Sequence, residues 1–121
     1  KIDFTTLEQY YGSKGKFAIG TSDTNVLQYT INKGGKYLII CVCSLDASNQ
    51  SHSTYINIIK NSLSLGSSYM TYHPGYWGNL SHLNMVEAEA GDVIKMVMRD
   101  TVGLPANVNT DARMAIIQLS N

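Results

Sequence analysis

No stretch of this chain repeats its apolar residues at the roughly 3.6-residue spacing of a helix. Short apolar runs are instead cut by turn residues at intervals of roughly eight to twelve positions. That punctuation is the pattern of an all-β sandwich or barrel. Runs over residues 26–31, 36–45, 54–60, 63–72, 81–88, 93–99 and 113–119 read as strands. Tight turns are predicted at Asn32-Lys33-Gly34-Gly35, Asn61-Ser62 and Ala90-Gly91-Asp92, where Gly and Asn tolerate the required backbone. Longer connections are expected over 46–52, around Pro74, Gly75 and Gly78, and over 100–112. No repeat, linker or low-complexity tract interrupts the pattern, so residues 1–121 read as one domain.

Two of the runs are apolar on both faces. In the first, Tyr37, Ile39, Cys41, Cys43 and Leu45 alternate with Leu38, Ile40 and Val42; in the last, Met114 and Ile116 alternate with Ala115, Ile117 and Leu119. A sandwich strand needs only one apolar face for its core. The run 93–99 keeps to that rule, with Ile94, Met96 and Met98 against Lys95 and Arg99. If the two double-sided strands are neighbours, one sheet carries an apolar outer surface. Another subunit, overlying loops or a second domain would have to cover it, and oligomerisation is the expected cover.

Composition narrows the function classes. Hydrophobic residues make up 44% and charged residues 15% of the chain, ordinary for a folded domain and too apolar for disorder. The formal net charge is zero, so nothing attracts nucleic acid or an anionic membrane in bulk. No run reaches the roughly 18 apolar residues of a membrane span, and no signal peptide opens the chain. Lys1 stands where an initiator Met would, which leads us to expect a segment of a longer protein, such as the C-terminal part of a fibre. Cys41 and Cys43 are two apart on one strand, so they point the same way about 7 Å apart, a poor geometry for a bridge. Buried free thiols are expected, and a domain without a disulfide can mature in the cytoplasm even if it works outside a cell.

Beyond these general features, the order of strands and turns from residue 29 to residue 119 resembles the complement-type globular head, the tumour necrosis factor-like jelly roll. Tyr29-Thr-Ile-Asn-Lys-Gly-Gly-Lys-Tyr37 is similar to that family's lead into its central strand, and Ile56-Asn-Ile-Ile-Lys-Asn61 to its apolar strand ending in Lys-Asn or Arg-Asn. The serine-led run from Ser81 and the Gly91-Asp92-Val93 turn look like its next strand and turn, and 112–119 occupies the place of its closing strand. The family's Ser-x-Phe-x-Gly pattern is absent; Arg113-Met-Ala-Ile116 stands there instead, which marks a distant relative. The resemblance implies an antiparallel jelly-roll β-sandwich assembled as a homotrimer, whose inner sheet includes the central and closing strands. Distant versions of this fold serve as receptor-binding heads of phage tail fibres and as bacterial adhesins. That implies a protein made in the cytoplasm that works outside the cell or on a virion surface.

Antiparallel strands bring the loops 46–53, 73–80 and 100–112 to one end and the turns 61–62 and 89–92 to the other, beside the C-terminus. Loops on a rigid sandwich are where binding usually sits. The richest stretch is Tyr69-Met-Thr-Tyr72-His-Pro-Gly-Tyr76-Trp77-Gly-Asn-Leu-Ser-His82. A flat ring backing the apolar face of a sugar, flanked by imidazole, amide and carboxylate groups, makes a saccharide site. His73, Tyr76, Trp77, Asn79, His82 and Asp100 are the candidates on that reasoning. The plainer reading is that Tyr72 and Trp77 plug the sandwich end or pack along a trimer axis. The loop Asp46-Ala-Ser-Asn-Gln-Ser-His-Ser53 offers oxygen ligands for calcium, but its single carboxylate fits a solvated loop better. Arg99, Asp100, Asp111 and Arg113 bracket the long loop, where an ion pair closing its base is expected over a sugar clamp.

No catalytic pattern stands out. His52, His73 and His82 are not at zinc-motif spacing, no Gly-rich phosphate cradle is present, and no nucleophile elbow occurs. The expectation is a binding protein with no cofactor, no metal and no enzyme activity. Its partner would be a cell-surface saccharide or a receptor protein, without nucleic acid binding or membrane insertion. A structural trimerisation cap and a secreted tumour necrosis factor-like ligand are the alternatives.

Overall fold

The computed structural model describes residues 8–45, 49–106 and 110–120. Eight strands run through them: β1 (Gln9–Gly15), β2 (Thr24–Thr30), β3 (Gly35–Leu45), β4 (His52–Lys60), β5 (Leu63–Tyr72), β6 (Gly78–Ala88), β7 (Val93–Asp100) and β8 (Thr110–Ser120). They form two four-stranded antiparallel sheets, β1-β8-β3-β6 and β2-β7-β4-β5, packed as a jelly-roll sandwich. Seven of the strands are those read from the alternation, with β2, β4, β6 and β8 starting two or three residues earlier.

The eighth, β1, is a correction. Its sequence Gln-Tyr-Tyr-Gly-Ser-Lys-Gly has no apolar alternation, because it lies at a sheet margin and buries little. Backbone pairing to β8, from Gln9↔Ile117 to Gly15↔Asp111, holds it there. So does Tyr10, whose ring stacks on Tyr29 of the opposite sheet at 4.3 Å.

The core lies where period-two alternation puts it. Tyr37, Ile39, Cys41, Cys43 and Leu45 of β3 and Met114 and Ile116 of β8 face Ile56 and Ile58 of β4 and Ile94, Met96 and Met98 of β7. Ile19 seals the margin, bonded through its backbone to Leu104 at 2.7 and 2.8 Å. Cys41 and Cys43 are buried free thiols, each pushed up to about 12, first by loss of solvent and for Cys43 also by Asp111.

β3 and β8 are hydrogen-bonded neighbours, so their second apolar faces merge. One row across the sheet reads Tyr11, Ala115, Ile40 and Leu83; the next reads Gln9, Ile117, Leu38 and Met85. Leu83 is 55% and Met85 69% exposed on this outer surface. Sidedness is thereby resolved: Ile117 faces out and Ile116 faces the core.

Candidate functional site

Register fixes the two ends of the sandwich. Leu45 pairs with Gly78 and Thr110, His52 with Tyr72, and Thr54 with Asp100, so the three longer loops converge. At the opposite end sit the 61–62 and 89–92 turns, pinned by Asn61, which donates to Asp92 Oδ1 at 3.1 Å and accepts from Val93 N at 3.0 Å. Glu8 and the end of β8 are there too, joined by the bond from Gln118 N to Glu8 O at 3.0 Å. The Glu8 carboxylate accepts from Tyr29 OH (2.6 Å), Asn32 N (2.8 Å), Lys33 N (2.9 Å) and Tyr37 OH (2.6 Å). Both ends of the described chain therefore lie away from the loops.

At the loop end, the floor is a buried polar cluster. The fully buried Asp100 accepts from His52 Nδ1 and Thr54 Oγ1 on one oxygen, each at 2.6 Å, and from Val102 N on the other at 3.0 Å. Tyr72 stacks on His52 with centroids 4.9 Å apart, and its buried hydroxyl has no partner among the described residues. Desolvation, and then the charges of Cys43 and Asp100, push that phenol up to about 12. Tyr72 is thus a plug, as the plainer sequence reading has it. Trp77 is not: it is 72% exposed.

The six candidates separate into two groups. His73, Tyr76 and Trp77 share one exposed turn, closed by the bond from Tyr76 N to His73 O at 3.1 Å, with Gly75 at a φ of 84° that favours glycine. Asn79 stands at the base of that turn, accepting from Ser44 Oγ at 2.8 Å. Asp100 does not join them, because it is interior and its oxygens are occupied. His82 does not join them either. It lies on the inward face of β6, and its Nδ1 meets Ser68 Oγ at 2.6 Å at the β5–β6 margin. Alternation from Leu80 could have flagged it, since even-numbered residues of β6 turn inward.

The expected arginine ion pair at the base of the long loop is also corrected. Arg99 Nε lies 3.7 Å from Asp23 Oδ1, and the base is closed instead by His52–Asp100 and by Thr101 N donating to Ser53 O at 3.0 Å. Asp46, the carboxylate considered for calcium, lies outside the described residues.

A second surface escaped the loop-based reasoning. On the outer face of the β2-β7-β4-β5 sheet, register aligns Arg99, Tyr55 and Tyr69 in one row and Val97, Asn57 and Ser67 in the next. The guanidinium carbon of Arg99 sits 3.9 Å from the Tyr55 ring centroid, and Tyr55 and Tyr69 stack at 5.3 Å. Arg99, Tyr55, Val97, Asn57 and Ser67 enclose, together with Asp23, a cleft of about 200 Å³ floored by the buried Val97. Tyr69 adjoins it. Polar and aromatic residues at alternate positions of 55–57 and 67–69 were the available signal. A larger groove, about 690 Å³, lies among the turns at the other end, where Lys60, Asn61 and Asp92 already serve as turn ties.

No family model matches the chain, and no curated protein is similar enough in sequence to match. Solved structures do share its fold. The globular domain of zebrafish complement 1qA protein superposes with a TM-score of 0.58 at 15% identity, over 78% of this chain and 71% of that one. GITRL from bushbaby gives a TM-score of 0.50 at 22% identity, over 78% and 70%. The class is therefore an all-β, two-sheet jelly roll similar to the complement and tumour necrosis factor-like heads. At these identities the likeness establishes the fold.

Proposed function

We propose that this chain is a non-catalytic, homotrimeric binding head that recognises a saccharide on a cell surface. It works outside the cell, in the manner of a phage tail-fibre tip or an adhesin. The observation that carries the proposal is the apolar outer face of the β1-β8-β3-β6 sheet, with Leu83, Met85 and Tyr11 exposed beside Leu38, Ile40 and Ile117. An apolar face continuous across four strands calls for a cover. The resemblance to trimeric complement-type heads supports a second and third copy as that cover. The loop end, remote from Glu8 and the end of β8, then points away from anything attached there. His73, Tyr76, Trp77 and Asn79 supply a ring, an imidazole and an amide to solvent.

Sedimentation equilibrium tests the assembly. The wild-type chain should be a trimer at micromolar concentration, and Ile117→Lys should give a folded monomer, because the charge enters an interface and not the core. A stable wild-type monomer overturns the assembly. Trp77→Ala should weaken saccharide binding at the loop end by about 1–3 kcal/mol without changing the oligomeric state. Unchanged binding by the Trp77→Ala trimer would move the site elsewhere, as to the clefts between subunits, and no saccharide binding by the wild type would favour a structural cap.

A further inference from the structure

We infer that the outer face of the β2-β7-β4-β5 sheet is a second, independent binding surface for a neutral saccharide. The cleft over Val97 would hold the hydroxyls of one sugar unit, and the free face of Tyr69 would stack on its neighbour. The inference rests on neither the trimer nor the loop-end reading.

Cross-strand pairing accounts for part of this surface. The Tyr55–Tyr69 stack and the Arg99–Tyr55 contact are favourable side-chain pairs that stabilise any sheet. It does not account for what surrounds them. Arg99 and Asp23 stand half in solvent at 3.7 Å, a loose contact that leaves guanidinium N–H groups and carboxylate lone pairs directed at other partners. Asn57 spends its Oδ1 on Ser64 Oγ at 2.8 Å, and among the described residues its amide nitrogen and the hydroxyl of Ser67 have no partner and can donate. These groups ring a dry floor, Val97.

That set matches sugar chemistry. Each hydroxyl of a pyranose both donates and accepts, so a pair of adjacent hydroxyls needs a donor and an acceptor side by side, which Arg99 and Asp23 supply. Their charges offset, which selects a neutral sugar over an acidic one. Tyr55 is gripped on one side by Arg99 and on the other by Tyr69, so the wall of the cleft is held rigid before any ligand arrives. Tyr69 stacks on Tyr55 through one face, lies on the edge strand β5 and is 64% exposed, which leaves its other face as an aromatic plane for sugar C–H groups. A protein partner would favour a broad apolar centre, whereas this one is a single cleft of about 200 Å³.

The test is amide chemical-shift mapping of the whole chain against glucose, galactose, mannose, N-acetylglucosamine and N-acetylgalactosamine. At least one should shift Asn57, Ser67, Tyr69, Val97 and Arg99 together. Tyr69→Ala and Arg99→Leu should each raise the dissociation constant about tenfold while the remaining spectrum stays native. Tyr69 is too exposed for its removal to unfold the sheet, and Leu keeps an apolar contact on Tyr55. No shift on this face with any of the five sugars overturns the inference, as does a shift map confined to the 73–79 loop, which would support the loop-end site alone. A protein ligand that occupies this face while no sugar does would overturn it equally.

Discussion

Replacing Asp100 by Ala separates a structural carboxylate from a ligand contact. The substitution strands three donors in the interior: His52 Nδ1, Thr54 Oγ1 and the Val102 N–H. A buried donor left unmet costs about 1–3 kcal/mol. Val102 N lies nearest the loop surface and can recruit water, so the stranded groups total about 4 kcal/mol. Against a typical stability of about 5–15 kcal/mol, that leaves the domain close to unfolding. Asp100→Asn keeps the shape and one acceptor oxygen, and its amide can donate to His52 if the imidazole accepts at Nδ1. Its cost should be about 1–2 kcal/mol. Urea unfolding followed by circular dichroism reads both, with an unchanged slope marking an effect on stability alone. An Asp100→Ala protein within about 1 kcal/mol of wild type would refute the reasoning. So would one that stays fully stable while losing saccharide binding.

Acid should loosen the turn end through Glu8. Burial opposes its ionisation, but the Tyr29 and Tyr37 hydroxyls and the Asn32 and Lys33 amides outweigh that and hold its carboxyl below the ordinary 4.5. A lowered folded pKa means the unfolded chain binds more protons, so this contribution is complete above 4.5 and lost as pH falls through the folded value. Urea midpoints of wild type and Glu8→Gln should therefore differ at neutral pH and converge in acid; a gap that widens on acidification contradicts the assignment. The cysteines should resist a thiol reagent at pH 8 in the native protein, since burial pushes both thiols up to about 12. Both should react after denaturation without reductant, and rapid reaction of the native protein would mean that the core face of β3 is open.

Alternation reached the sandwich and the core face of β3, and it marked β3 and β8 as apolar on both faces; that the two share a sheet was implied by the resemblance and is borne out by their register. It missed β1, whose stability comes from backbone pairing to β8, from one ring stack and from the Glu8 clasp, none of which has a period. Loop-end convergence was legible from strand direction alone. The role of Asp100 was not, since a polar residue at a strand end looks the same whether it faces solvent or a buried His52. Arg99, Tyr55 and Tyr69 belong to three different strands, and only register makes them a row.

If both proposals hold, the two outer faces of the sandwich divide assembly and binding between them. The β1-β8-β3-β6 face presents Leu83, Met85 and Ile117, apolar groups whose transfer from water onto another copy would be favourable. The β2-β7-β4-β5 face presents Tyr69, Asn57, Ser67 and the Arg99–Asp23 pair, groups that remain satisfied in water and can exchange it for a hydroxylated ligand. A trimer closed through the first face necessarily turns the second outward in all three copies. Each sugar contact can then be weak, because three copies engaging one glycosylated surface raise the overall avidity by about 10²–10⁴-fold where the spacing permits. Ile117→Lys should consequently cost far more binding to a dense saccharide surface than to a free monosaccharide. Surface plasmon resonance on a high-density and a low-density saccharide layer reads that difference. Equal losses on both layers would show that assembly shapes the site itself and does not merely multiply it.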